Sequence, residues 1–215
     1  GITVEDDLVV LDTFEVSHNC RRIGKDLFQD SLLHYIDGTK TPIKDVAVGD
    51  MIFGGDGKPT QVLERMDFND QLQYEVTLRD GRKVICGGGH LWTVQDANNG
   101  KILTLELNDF KNKFFYDCKH NIKHYKYKIP SYIPELGITW CNIHDIKPLD
   151  IKPSVCIRVD NEDSLFLVND YVVTHNSWGS AGMLGLHNFI FDGAIDYDDY
   201  LESNKIGDPL TSETL

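Results

Sequence analysis

The sequence predicts an all-β fold for residues 31–176, on three observations. Short apolar runs rich in Val, Ile, Thr, Tyr and Phe fill that stretch. Asp-Gly and Gly-Asp dipeptides punctuate the runs as turns. Helical periodicity is weak, apart from one short helix expected over "LTLELNDFKNKF" (103–114). Taken in order, the strand text lies in "SLLHYIDGTKTPIKDV" (31–46), "DMIFGGDGKPTQVLERMDF" (50–68), "LQYEVTLRDGRKVICGGGHLWTV" (72–94) and "CIRVDNEDSLFLVNDYVVTHN" (156–176). Within the third run, "LQYEVTLRDGRKVIC" reads as a hairpin turning at Asp80-Gly81. The flanks read differently. Residues 6–25, "DDLVVLDTFEVSHNCRRIGK", read as an apolar strand leading into a loop. After Ser177, "SWGSAGMLGLHNFIFDGAIDYDDYLES" reads as a helix followed by an acidic loop. A β unit therefore interrupts a strand–loop–helix text.

Composition narrows the function classes. With 41% hydrophobic and 10% aromatic residues in 215, the chain has material for a sizeable core. Acidic residues outnumber basic ones, 34 to 21, a formal charge of −13. That excess argues against a nucleic-acid surface as the main feature, since phosphate neutralisation needs clustered Lys and Arg. No apolar run approaches the roughly 20 residues of a membrane span, and no signal peptide opens the text. The five cysteines (20, 86, 118, 141 and 156) are odd in number and irregularly spaced. They point to free thiols in a reducing, intracellular (cytoplasmic) setting.

One motif is broken in two. Residues 20–26, "CRRIGKD", nearly complete the phosphate-binding pattern G-x-x-x-x-G-K-[ST], but the hydroxyl that would bind Mg²⁺ is replaced by Asp26. A carboxylate there repels phosphate. Removing residues 26–176 would join Lys25 to Ser177 and give "CRRIGKSWGSAG", with Gly24, Lys25 and Ser177 in their motif places.

Four separated blocks of the middle unit, in order, resemble an intein, a protein that excises itself and joins its flanks. "DLFQDSLLHYIDG" with "PIKDVAVGDMIF" resembles the opening blocks, Asp30-Ser31 standing for the usual Asp-Thr. "CGGGHLWTV" resembles the block of the catalytic histidine, here His90, with Gly87 in place of the usual Thr three residues earlier. "VCIRVDNEDSLFLVNDYVVTHNS" resembles the last two blocks, ending in His175-Asn176 before Ser177. The resemblance implies the β horseshoe shared with hedgehog autoprocessing domains (the HINT fold). It also implies an upstream host segment at 1–25, a splicing domain at 26–176 and a downstream host segment at 177–215. Only 65 residues separate His90 from Cys156, too few for a homing endonuclease, so the resemblance is to a mini-intein.

Ordinary inteins begin with Cys or Ser, and Asp26 cannot form their ester or thioester. Cys156 stands just before Ile157-Arg158-Val159, where ordinary inteins often have Asp. With Trp92 two residues after His90 and Thr174 just before His175, it matches the Trp-Cys-Thr signature of class 3 inteins, which need no nucleophile at their first residue. The resemblance then implies a sequence of acyl transfers. The Cys156 thiolate attacks the Lys25 carbonyl and breaks the Lys25–Asp26 bond, with His90 supplying the proton to the departing amine from a pKa near 7. Ser177 takes the acyl group, Asn176 cyclises with help from His175, and an O-to-N shift joins Lys25 to Ser177. Trp92 and Thr174 would orient Cys156, and all three are expected close together. No cofactor, metal or partner is needed, because the flanking segments are the substrate. The rejoined flanks resemble the nucleotide-binding loop of phage terminase large subunits, the DNA-packaging ATPases, although Asn19 stands at the first Gly. The spliced host would bind ATP, Mg²⁺ and DNA.

Two other readings stand beside this one. The chain could be a P-loop nucleotide-binding module with an inert β insertion, against which Asp26 argues. Alternatively, "CKHNIKH" (Cys118, His120, His124) and "CNIH" (Cys141, His144) could hold zinc, though their spacing fits no common structural site.

Overall fold

The computed structural model describes residues 8–10, 16–18, 25–117, 122–175 and 195–196. These residues form seventeen strands, one 3₁₀ turn (Ile43–Asp45) and one α-helical turn, α1 (Leu107–Phe110). The first strands are β1 (Leu8–Val10), β2 (Val16–His18), β3 (Leu27–Phe28), β4 (Leu32–His34), β5 (Lys40–Pro42) and β6 (Met51–Phe53). Next come β7 (Pro59–Leu78), β8 (Lys83–Gly87), β9 (Leu91–Asp96), β10 (Ile102–Glu106), β11 (Phe114–Asp117) and β12 (Ile122–Tyr125). The last are β13 (Tyr127–Ile133), β14 (Gly137–Val159), β15 (Leu165–Val168), β16 (Val172–His175) and β17 (Ile195–Asp196). The expected all-β fold is what forms.

Thirteen strands make one continuous sheet, whose main path runs β5-β4-β15-β16-β13-β14-β3-β8-β7-β6. Its spine is the antiparallel ribbon of β7 and β14, registered from Val62↔Val159 to Ile143↔Leu78. The ends of the ribbon are buried, while Met66, Leu72 and Ile151 near its middle are exposed. Two register shifts in β14 fall beside Pro148 and Pro153, which have no N–H for the ladder. Past the second shift, β14 is flanked on both edges, with Val155 opposite Asp67 of β7 and Leu27 of β3. The β7–β8 hairpin turns at Asp80-Gly81 as the sequence predicts, Leu78 N–H donating to the Arg82 carbonyl at 2.8 Å. Gly81 sits there at φ 87°, a conformation costly for a residue with a Cβ.

The main core joins Leu33, Ile43, Ile52, Val62, Trp92, Phe110 and Ile157, all at most 1% exposed. A second cluster of Trp140, Leu165, Leu167 and Val173 lies under the β15–β16 hairpin. Asn169, at φ 50°, fastens the hairpin turn: its side chain accepts from Leu32 N–H at 2.9 Å and donates to the Lys83 carbonyl at 2.7 Å. That turn sets the strand ending at His175.

Three local expectations are corrected. Residues 102–106 are strand, not helix, because Ile102–Glu106 pairs with Leu91–Gln95; only Leu107–Phe110 coils, burying Leu107 and Phe110 three residues apart. Cross-strand pairing with β9 outweighs local helix preference here. The upstream strand is a two-strand hairpin, with Val10 opposite Val16 and Leu8 opposite His18. Within the expected acidic loop, Ile195–Asp196 runs parallel to Thr139–Trp140 of β14. The loop at 20–24, Cys118, His120, Asn176, Ser177 and the helix expected after Ser177 lie outside the described residues. No helix among the described residues is long and apolar enough to cross a membrane.

Candidate active site at a strand junction

Lys25 and Asp26 enter directly into β3, which is wedged between β8 and β14. Because Val155 faces Leu27 in antiparallel register, one further residue sets Cys156 opposite Asp26. Lys25 and Cys156 line the same narrow cleft, together with His90 and His175, between Leu27 and Phe166. Residues far apart in sequence, 25, 90, 156 and 175, thus converge.

The described cysteines form no disulfide and are buried, and they are not equivalent. Cys86 is wholly enclosed in the core; burial pushes its thiol up, with the Trp92 indole pulling weakly the other way. Cys141 pairs with Ile129, also inside the core. Cys156, at 9% exposure, stands at the cleft beside the Lys25–Asp26 bond.

His90 is presented by the "GGGH" loop. Its N–H donates to the Gly87 carbonyl at 3.1 Å, and its own carbonyl accepts from Leu107 at the start of α1 at 3.0 Å. Asn108 N–H donates to the Gly88 carbonyl at 2.8 Å, so this one-turn helix clamps the loop. A Cβ on Gly88 would lie 2.7 Å from the end of the Asn108 side chain, which would have to shift to admit it. Thr174 Oγ1 and His90 Nε2 are hydrogen-bonded at 2.6 Å, and the Trp92 ring meets the His90 ring edge-on at 5.5 Å. Both Trp92 and Thr174 are fully buried and meet His90; the cleft around Cys156 is lined without them.

The near-neutral pKa expected of His90 does not hold. Burial lowers it from 6.5 to about 4, only partly offset by the Lys25 carbonyl against the ring. His90 is therefore a neutral imidazole at pH 7, with a lone pair free to accept a proton but a basicity weakened by burial. This has a consequence for stability. Between pH 6.5 and about 4 the unfolded chain binds a proton that the folded chain refuses, so stability falls as pH falls through that window. Burial lowers the pKa of His34 as well, adding an effect of the same sign. Melting curves should show a drop in Tm from pH 7 to pH 4 that is smaller in His90→Asn. Equal drops in parent and variant would refute the assignment.

Asp26 is fully buried, its carbonyl accepts from Gly87 N–H at 3.0 Å, and its Oδ2 accepts from Gln73 Nε2 at 2.7 Å. Sequence reasoning missed Gln73; it lies 47 positions from Asp26, and no local signal marks it. Among the described residues no three metal-ligating side chains converge. Of the zinc candidates, Cys141 faces the core, His144 is exposed and His124 stacks on Phe115.

No family model matches the chain. A curated relative, the replicative DNA helicase DnaB of Mycobacterium intracellulare, is 36% identical over 80 residues, which are 37% of this chain. The chain spans only 14% of that helicase's length. Among solved structures, a gp41-1 intein variant carrying Cys-to-Ala (at its position 1), Phe-to-Trp and Asp-to-Cys substitutions is similar at 25% identity and TM-score 0.53. The match covers 72% of this chain and all of that one. The zinc-bound Msm DnaB1 intein splicing domain is 25% identical, with TM-score 0.52, over 70% of this chain and 99% of that domain. A DnaB intein from Synechocystis shares the fold at 18% identity, over 72% of this chain and 100% of that one, with TM-score 0.53. The sheet that brings Lys25, His90, Cys156 and His175 to one cleft is the HINT fold of inteins.

Proposed function

We propose that the chain is an autocatalytic protein-splicing element of the class 3 type. The observation that supports this most is the β3–β14 register, which sets Cys156 beside the Lys25–Asp26 bond while Asp26 offers no nucleophile. The gp41-1 variant pairs a non-nucleophilic first residue with an introduced Trp and Cys; Asp26, Trp92 and Cys156 make the same combination here.

The chemistry follows from the cleft. The Cys156 thiol passes its proton to neutral His90, and the thiolate attacks the Lys25 carbonyl carbon. A carbon–sulfur bond forms and the carbon–nitrogen bond breaks. The electron pair goes to the Asp26 nitrogen, which takes the proton back from the imidazolium. The Thr174 hydroxyl and Trp92 hold the imidazole in place for both transfers. The acyl group moves to the Ser177 hydroxyl. Asn176 Nδ2 attacks its own carbonyl, His175 protonates the departing Ser177 nitrogen, and the free amine of Ser177 takes the acyl group as a peptide. All reactants are on one chain, so proximity supplies much of the rate.

Residues 1–25 and 177–215 are then the host segments. Joining them restores a loop with Gly24, Lys25 and Ser177, similar to that of terminase large subunits, in a host that binds ATP, Mg²⁺ and DNA inside a cell. The unspliced chain keeps the Mg²⁺ ligand apart from the phosphate ligand and is silent as an ATPase. Intact-mass analysis of freshly expressed protein tests the reading. Residues 26–176 should leave as one 151-residue product (176 − 25 = 151) with 1–25 joined to 177–215. A chain that stays whole, with no thioester, ester or excised species, overturns it.

A further inference from the structure

The residues around the junction form a row across four strands. Continuing the registers by one residue from Leu27 gives Cys156, Asp26, Gly87 and Gln73, on β14, at the entry to β3, on β8 and on β7. Residues directly opposite one another share a face of the sheet. Gln73 and Asp26 are two strand spacings apart, about 10 Å at the backbone. The residue between them is Gly87, which has no side chain. Across that gap the Gln73 amide reaches Asp26 Oδ2 at 2.7 Å. Both side chains are fully buried, and among the described residues neither Asp26 Oδ1 nor Gln73 Oε1 has a hydrogen-bond partner. A half-satisfied polar pair is a costly way to fill a core, where two apolar side chains would do better. The glycine that departs from the Thr usual in this block, and the acid that departs from the usual first residue, meet in one contact.

We infer that Gln73 is a positioning residue for the Lys25–Asp26 bond, acting through the Asp26 side chain across Gly87; the inference rests on the splicing reading above. With its β-carboxylate tied to Gln73 and its carbonyl tied to Gly87 N–H, Asp26 is held at both ends. The Lys25 carbonyl is thereby kept facing Cys156 as the bond to the Asp26 nitrogen breaks. The carboxylate also stays beside that nitrogen, which becomes a free amine when it takes the proton from His90 and an ammonium only on taking a second proton from water. Around this row the titratable groups are Cys86, His90, Cys156, His175 and Lys25, and substitutions at 73 leave all of them in place.

The test uses the full chain carrying Asn176→Ala, with hydroxylamine releasing residues 1–25 and the rate read by mass across about pH 5 to 8. Gln73→Met keeps the volume and removes the donor; release should slow about tenfold at every pH, as for a modest misplacement of the reacting bond. Gln73→Glu puts a second carboxylate against Asp26, and two such groups cannot both ionise in a dry site. Its rate relative to the parent should be lower at pH 8 than at pH 5, because the new carboxylate repels its neighbour only when both are charged. A residue that merely supports the fold would lower Tm without such a pH-dependent ratio. If Gln73→Glu does not fold, Gln73→Met decides alone. Rates within twofold of the parent for Gln73→Met, or a flat ratio for folded Gln73→Glu, overturn the positioning role and leave splicing standing. A parent that releases nothing overturns both.

Discussion

Cys156→Ala is expected to abolish cleavage at Lys25–Asp26, slowing it by on the order of 10³-fold or more, while Asp26→Ala retains it at a reduced rate. The asymmetry comes from position. Cys156 lines the cleft with Lys25, one residue beyond the Val155↔Leu27 pair. No other described cysteine can replace it, since Cys86 and Cys141 are sealed in the core and burial holds the Cys86 thiol protonated. Asp26 has no group able to carry an acyl chain, so its removal costs the contact with Gln73 and no covalent step. Thioester formation, captured by hydroxylamine and read by mass, decides the matter. Cleavage that survives Cys156→Ala but stops with Asp26→Ala would discard the class 3 assignment.

The second large effect is at the downstream junction. Asn176→Ala should block release of Ser177 almost completely, because Ala has no amide to cyclise. The first two acyl transfers need nothing from Asn176, so a branched species should accumulate, with residues 1–25 carried on Ser177 or Cys156. Hydroxylamine should dissolve that branch, since it attacks esters and thioesters and spares ordinary peptide bonds. A branch that resists hydroxylamine would count against the ester path. His175, buried at the end of β16 and lining the cleft, ties this step to the first one. Reaction at Asn176 starts from the strand that also carries Thr174, the partner of His90. Of two adjacent residues of β16, Thr174 bonds the His90 imidazole and His175 lines the cleft.

Much of the fold was legible because strands and turns write themselves locally. Alternating apolar text between Leu72 and Cys86, with Asp80-Gly81 between, specifies a hairpin without help from elsewhere. The helix expected over 103–114 failed for the opposite reason. Its apolar residues satisfy a 3.6-residue period passably, but the partner strand 91–95 is what they pair with, and nothing in a single window shows that. The site divides in the same way. Cys156, His90 and His175 are visible as residue types in ordered blocks; Gln73 is an unremarked amide in a strand.

The sequence alone determined the strand class of the middle unit, the likeness of the text on either side of it to the two parts of a phosphate-binding motif, and, through the family resemblance, Cys156 as the candidate nucleophile. Each is a matter of residue identity and spacing along the chain. Only the tertiary structure decided which of the buried thiols reaches the junction, that His90 is neutral with its pKa near 4, and that Gln73 spans Gly87 to hold Asp26. Those depend on register between strands 47 to 130 residues apart and on how far each group is withdrawn from water. Local sequence encodes the pleat and the turn; strand register and dielectric exist only once the sheet has closed.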